Sequence, residues 1–174
     1  MPLLCAALLA IALAVSHPAH ADFTGRVVRV SDGDTLDVLV KGRAVRVRLA
    51  RIDAPEKKQA FGWQAHQTLY SLTFHKNVLV IEAGHDHYGR TVGTIYLGRI
   101  NVNQELVRRG MAWADRYHSG NPALLHIEAE ARRQKRGLWA NPSPEPPWNF
   151  RKRKNGDRRN WKNGNRPNAV HLAK

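Results

Sequence analysis

"FTGRVVRVSDGDTLDVLVKGRAVRVRLARIDAPE", residues 23–56, decides the fold. "FTGRVVRV" (23–30) and "TLDVLV" (35–40) are short β-branched runs separated by "SDGD", and "RAVRVRLARI" (43–52) alternates Val45, Val47 and Leu49 against Arg46 and Arg48. Three consecutive strands follow from that period of two, with Lys41-Gly42 as a tight hairpin turn between the second and third.

Past Pro55 the period changes. Phe61, Ala65, Leu69 and Leu72 fall at helical spacing, which predicts a helix over 61–74. "NVLVIEA" (77–83) and "RTVGTIYL" (90–97) read as two more strands joined by "GHDHYG". "NVNQELVRRG" (101–110) and "NPALLHIEAEARRQKRG" (121–137) read as helices, each closing on basic residues and glycine as C-termini prefer. Three strands, a helix, two strands and then helices predict an α+β chain. Its expected form is a five-stranded β-barrel of the oligonucleotide/oligosaccharide-binding (OB) type packed with about three α-helices. Trp113 and Trp139 are expected as core aromatics.

The ends differ from this middle. Leu3 to Val15 form an apolar run, too short to cross a bilayer comfortably, and Ala19-His20-Ala21 has the small-x-small pattern of a signal peptidase site. Residues 1–21 are therefore expected to be a signal peptide, giving an exported chain, periplasmic or secreted, without stable membrane insertion. The one cysteine, Cys5, lies in that segment, so the mature chain has no thiol for a disulfide or a thiolate metal site. Beyond the domain expected at 22–148, "NPSPEPPWNF" (141–150) leads into a stretch with nine Lys or Arg against one Asp from Arg151 onward. Residues 149–174 read as a basic, disordered tail. Trp148, Phe150 and Trp161 interleave with the bases, a mixture suited to phosphate contact and base stacking.

With 174 residues and 43% hydrophobic content the chain can build one ordinary core, and its net charge of +14 points to a polyanionic partner. In so basic a protein, acids that cluster need a reason. Asp53 by itself could be half of a surface ion pair worth ~0.2–1 kcal/mol. Asp34, in the turn "DGDT", and Asp53 instead fall at strand ends that a barrel can bring together, and both offer hard oxygens suited to Ca²⁺ or Mg²⁺. Glu56 follows Pro55, whose fixed φ sets the direction of the loop, and could hold a water as a general base. Arg48, five residues before Asp53, and Arg90, after Gly89 in "DHYGR", offer planar guanidinium groups matched to phosphate oxygens. A divalent ion, two arginines and a carboxylate base are what attack of water on a phosphodiester requires. His85 and His87 share a loop but lack a third ligand, so they are read as solvent-facing.

"SDGDTLDV", "VRLARIDAPE", "FGWQAHQTL", "DHYGRTVGTIYL", "VNQELVRRGMAW" and "ARRQKRGLWANPSPEPPWNFRK" resemble, in order and spacing, the thermonuclease family of staphylococcal nuclease-like enzymes. The resemblance runs from about Arg29 to Lys152. It implies an OB-type barrel with three helices that uses Ca²⁺ to hydrolyse DNA and RNA, leaving 5′-hydroxyl and 3′-phosphate ends. It implies Asp34 and Asp53 as calcium ligands, Ala54 as a ligand through its backbone carbonyl, and Arg48, Glu56 and Arg90 as catalytic residues. Tyr88 matches a tyrosine beside the bound nucleotide. The stretch after Glu56 is shorter than in the staphylococcal enzyme, and its second nucleotide-contacting tyrosine falls at Arg116, with Tyr117 adjacent. The chain is expected to act as a monomer. The alternatives are a noncatalytic nucleic-acid-binding module and a basic envelope protein that binds anionic surface polymers.

Overall fold

The computed structural model describes residues 21–115 and 121–164, with side chains described as far as residue 156. Strands β1 (Phe23–Asp32), β2 (Thr35–Val40) and β3 (Arg43–Leu49) form an antiparallel meander. Val40 pairs with Arg43, leaving Lys41 and Gly42 as a two-residue turn with φ of 47° and 79°. Positive φ at both positions is the turn whose twist matches that of the flanking strands, as the sequence predicts. Strands β4 (Ile52–Asp53), β5 (Asn77–His85), β6 (Thr91–Leu97), β7 (Ile100–Asn101) and β8 (Trp113–Ala114) follow.

The sheet order is β3-β2-β1-β5-β6, and β3 also pairs in parallel with β6. That pairing, over Val47–Leu49 and Thr91–Gly93, closes five strands into the expected OB-type barrel. β7 extends the edge beside β6, while β4 and β8 make a separate small ladder.

The inward faces of the barrel strands supply Val27, Leu36, Val38, Val47, Val80 and Ile95, and the helices α1 (Gly62–Thr73) and α2 (Val102–Arg108) cover them with Ala65, Leu69, Val102 and Leu106. Burying each such leucine or isoleucine contributes ~1.5–3 kcal/mol, which is why the alternation in "RAVRVRL" commits β3 to one face. Asn103 is the polar pin in this apolar interior. Its Oδ1 accepts from the Ile95 N–H at 3.0 Å and its Nδ2 donates to the Ala50 carbonyl at 2.9 Å, tying α2 to the barrel. Helix α3 (Pro122–Arg133) begins on an Asn121 cap with proline at its first position. As expected, Trp113 and Trp139 are buried, in a second cluster with Ala131 and Leu138.

Three readings of the sequence are corrected. The third strand stops at Leu49; Arg51 takes φ of 62°, and Asp53 lies on the separate β4. An outward arginine and an isoleucine look like further alternation, but the backbone kinks between them. Secondly, a fourth helix, α4 (Pro147–Gly164), occupies most of the segment expected to be disordered. Pro147 preorganises its first turn, Trp148 packs edge-on to Trp113 with centroids 6.3 Å apart, and Arg153 pairs with both oxygens of Glu145 at 3.2 and 3.0 Å. Long-range packing of one tryptophan outweighs a composition that looks too polar to fold. Thirdly, the helices are shorter than their patterns by one or more residues at their ends. Residues 1–20, with most of the expected signal peptide, Arg116 and Tyr117, and the side chain of Trp161 lie outside the described residues. Among the described residues no helix is long and apolar enough to cross a membrane.

Candidate active site

Asp32 pairs with Thr35, so Gly33 and Asp34 are the turn residues between β1 and β2. A Cβ on Gly33 would stand 2.7 Å from the Cβ atoms of both Ala54 and Ala65, so the glycine of "DGD" is demanded by how closely α1 and the segment after β4 approach. That approach fixes Asp34. Its Oδ2 accepts the Ala54 N–H at 2.9 Å and its Oδ1 accepts the Thr35 hydroxyl at 3.0 Å.

Arg48 stands opposite Thr35 on β3. Its Nη1 lies 2.7 Å from Asp34 Oδ2 and its Nη2 3.0 Å from Asp53 Oδ1, and Nη1 also donates to the Ile52 carbonyl at 3.1 Å. One guanidinium thus joins the two aspartates across the kink after β3. Both acids are buried, and taking carboxylates out of water is costly unless they are paired. Burial pushes the Asp34 carboxyl up to about 6, against the pull of Arg48 and with the help of Asp32, whose carboxylate accepts the Asp34 N–H at 3.2 Å. Burial likewise raises Asp53, opposed by Arg151 and Arg48. Burial works against the charge of Arg48, but the two aspartates outweigh it and hold the guanidinium firmly protonated.

The sign of the resulting pH dependence is definite. A carboxyl raised from 3.8 to about 6 binds more protons folded than unfolded in that interval, so its contribution to stability is complete below about 3.8 and is lost as pH rises through about 6. Denaturation in chelator should show this loss in the wild type, and Asp34→Asn should flatten the profile between those pH values; an unchanged slope in the variant would rule out Asp34 as its source.

Glu56 lies past Pro55 in a short turn where its backbone N–H donates to Gln59 Oε1 at 3.1 Å and its carbonyl accepts the Gln59 N–H at 2.8 Å. Its side chain is partly exposed, and Oε1 accepts from Arg151 Nη1 at 2.8 Å. Arg151 was assigned by its sequence to the tail; the structure brings it into this cluster from the first turns of α4, where Nη2 also lies 2.7 Å from Asp53 Oδ2. No local pattern in "NFRKRK" signals that contact.

Arg90 stands one residue before β6, which starts at Thr91 rather than at Arg90 as the sequence suggests, after a tight loop in which Gly89 has φ of 75°. Asp86 organises that loop: its Oδ1 accepts from the N–H groups of Tyr88 and Arg90 at 2.9 and 3.0 Å, and its Oδ2 accepts from Arg90 Nε at 2.7 Å. Although desolvation opposes it, these bonds hold the Asp86 carboxyl below its usual range. Tyr88 is exposed, its ring 5.5 Å from the Arg90 guanidinium carbon. His85 is exposed, as expected, with Nδ1 3.4 Å from Glu82 Oε1. Asp34, Arg48, Asp53, Ala54, Glu56, Tyr88 and Arg90 all line one cavity of about 900 Å³, together with Asp32, Asp115 and Arg151. The residues expected to bind the metal, act in catalysis or, as Tyr88, meet the nucleotide are therefore brought to one place.

Residues 46–141 match the family described as staphylococcal nuclease homologue. The chain belongs to that family. Among its relatives are a micrococcal nuclease of Shigella flexneri, 50% identical with 82% of this chain and 88% of the relative covered, and a protein named ParB of Escherichia coli, 47% identical with 84% and 89% covered. An uncharacterized endonuclease of Haemophilus influenzae is 42% identical with 86% and 85% covered. The region matched to the staphylococcal nuclease homologues holds Arg48, Asp53, Glu56, Tyr88 and Arg90, whereas Asp34 precedes it and Arg151 follows it.

Proposed function

We propose that this protein is an exported, Ca²⁺-dependent nuclease that hydrolyses the phosphodiester bonds of DNA and RNA to 5′-hydroxyl and 3′-phosphate ends. The observation that carries the reading is the cavity itself: two buried carboxylates, a carboxylate at a looser, partly exposed position, one arginine on β3 and another just before the adjoining β6, around one space large enough for a nucleotide. Nuclease names among relatives covered over most of their length support it.

Among the described residues no three His, Cys, Asp or Glu side chains are grouped as a complete cage for a metal. The donor set fits a hard cation nonetheless: Asp34 and Asp53 supply two buried carboxylates, Ala54, tied to Asp34 through its N–H, would add its backbone carbonyl, and water would complete the six to eight oxygens that Ca²⁺ takes. Bound there, Ca²⁺ would polarise the phosphate and neutralise the charge that grows on its oxygens. The chain does the rest. Arg48 and Arg90 hold the nonbridging oxygens, and their planar forks tighten as negative charge develops in the transition state. Glu56 takes the proton of the attacking water or orients it for in-line approach. The exposed ring of Tyr88 lies against the nucleotide, and the basic surface draws the polyanion in, so binding should weaken steeply with salt.

The test is release of acid-soluble nucleotides from single-stranded DNA and from RNA by residues 22–174 with Ca²⁺, with Mg²⁺ and with chelator. Cleavage only with Ca²⁺ is expected. DNA binding without cleavage under all three conditions would transfer the protein to noncatalytic nucleic-acid binding. Arg90→Ala should lower kcat ~10²–10³-fold, the scale for losing one transition-state donor, with little change in melting temperature because Asp86 keeps the backbone N–H groups of Tyr88 and residue 90 as partners. Full activity in that variant would remove Arg90 from the mechanism. Mass spectrometry of the periplasmic and secreted protein checks export, with Asp22 expected as the first residue.

A further inference from the structure

Arg151 enters the carboxylate cluster from a part of the chain 98 residues beyond Asp53 and 95 beyond Glu56. Its Nη2 donates to Asp53 Oδ2 at 2.7 Å, and its Nη1 donates to Asp53 Oδ1 at 3.2 Å and to Glu56 Oε1 at 2.8 Å. Two guanidinium groups therefore grip Asp53, and they are held differently. Arg48 is mostly buried at 19% side-chain exposure and is also fixed by the carbonyls of Leu49 and Ile52. Arg151 is 44% exposed, and among the described residues its side-chain hydrogen bonds go to Asp53 and Glu56. Arg48 is built into the wall of the barrel, whereas Arg151 reaches the acids from α4 with nearly half of its side chain in solvent.

The surroundings aim that guanidinium. Trp148 anchors the start of α4 against Trp113, and Arg153 braces the first turns through both oxygens of Glu145. The Gln59 side-chain amide donates to the Glu145 carbonyl while its oxygen accepts the Glu56 N–H, so the loop carrying Glu56 and the chain entering α4 are tied by one buried residue. A guanidinium that holds both oxygens of Asp53 and a divalent cation compete for the same carboxylate lone pairs, and two cations crowded on one carboxylate repel each other.

We propose that Arg151 is a built-in counter-cation: in the resting protein it occupies Asp53 and masks Glu56, and a divalent cation binds only by expelling it, so that α4 sets the affinity of the site. This rests on the cation-dependent reading above. The test is calorimetric titration of Ca²⁺ into the full chain without nucleic acid, comparing wild type, R151Q and R151K. Loss of the competing charge should tighten Ca²⁺ binding by up to ~5-fold in R151Q, the upper end of what one partly exposed charge pair is worth, and by more if all three hydrogen bonds count. R151K, which keeps the charge and loses the fork, should fall between the two and guards against a folding defect in R151Q. Unchanged or weaker Ca²⁺ binding in both variants, with wild-type binding intact, would overturn the counter-cation and leave the cation site standing. No binding by any of the three proteins would overturn both.

Discussion

Arg48→Ala should cost the fold about 3–5 kcal/mol, because it strips the shared counter-charge from two buried aspartates, and should slow cleavage at least ~10²-fold, because one transition-state donor is lost. The two effects separate in Arg48→Lys. An ammonium can still neutralise Asp34 and Asp53, so much of the stability should return, but a point charge cannot span two carboxylates and two phosphate oxygens as the planar fork does. Chemical denaturation and single-turnover cleavage on the same preparations check this. An alanine variant as stable as wild type would mean that Arg151 alone neutralises the cluster, and full activity in the lysine variant would mean that Arg48 acts only as a charge.

Glu56→Gln should lower kcat by ~10²–10⁴, the range for loss of a general base, while leaving the melting temperature close to that of wild type. The contrast with Arg48 comes from burial. Glu56 is 40% exposed on its side chain and its partner Arg151 is 44% exposed, so their pairing adds little to stability. The amide also keeps the shape of the carboxylate and can still accept from Arg151, which confines the change to basicity and charge. A loss smaller than tenfold with unchanged KM would show that Glu56 orients water without taking its proton.

The barrel was legible because its signals are local and mutually consistent. Alternating valines in β3, positive-φ tolerance at Lys41-Gly42 and the change of period after Pro55 each mark an element where they occur. Asp34 and Asp53 were legible as a pair for a related reason: both stand where a strand ends. What escaped was held by partners far along the chain. The Leu49–Ile52 kink exists because β4 must turn to meet β8, and the α4 start exists because Trp148 finds Trp113; neither partner can be read from its neighbours. The same holds for Arg151. In a run of bases it is indistinguishable from Lys152 or Arg153 until the helix is docked and its register chooses which side chain faces Asp53.

The parallel seam between β3 and β6 closes the barrel and sets Arg48 beside Val92, two residues past Arg90. Asp34 meets Arg48 through a meander whose turns are short, a pairing that forms cheaply, whereas Arg90 arrives only when strands from distant parts of the sequence join, the slow kind of contact in folding. Asp53 likewise depends on a distant partner, Trp113 on β8, so of the four groups only Asp34 and Arg48 are joined by local pairing, and the full constellation exists only in the closed barrel.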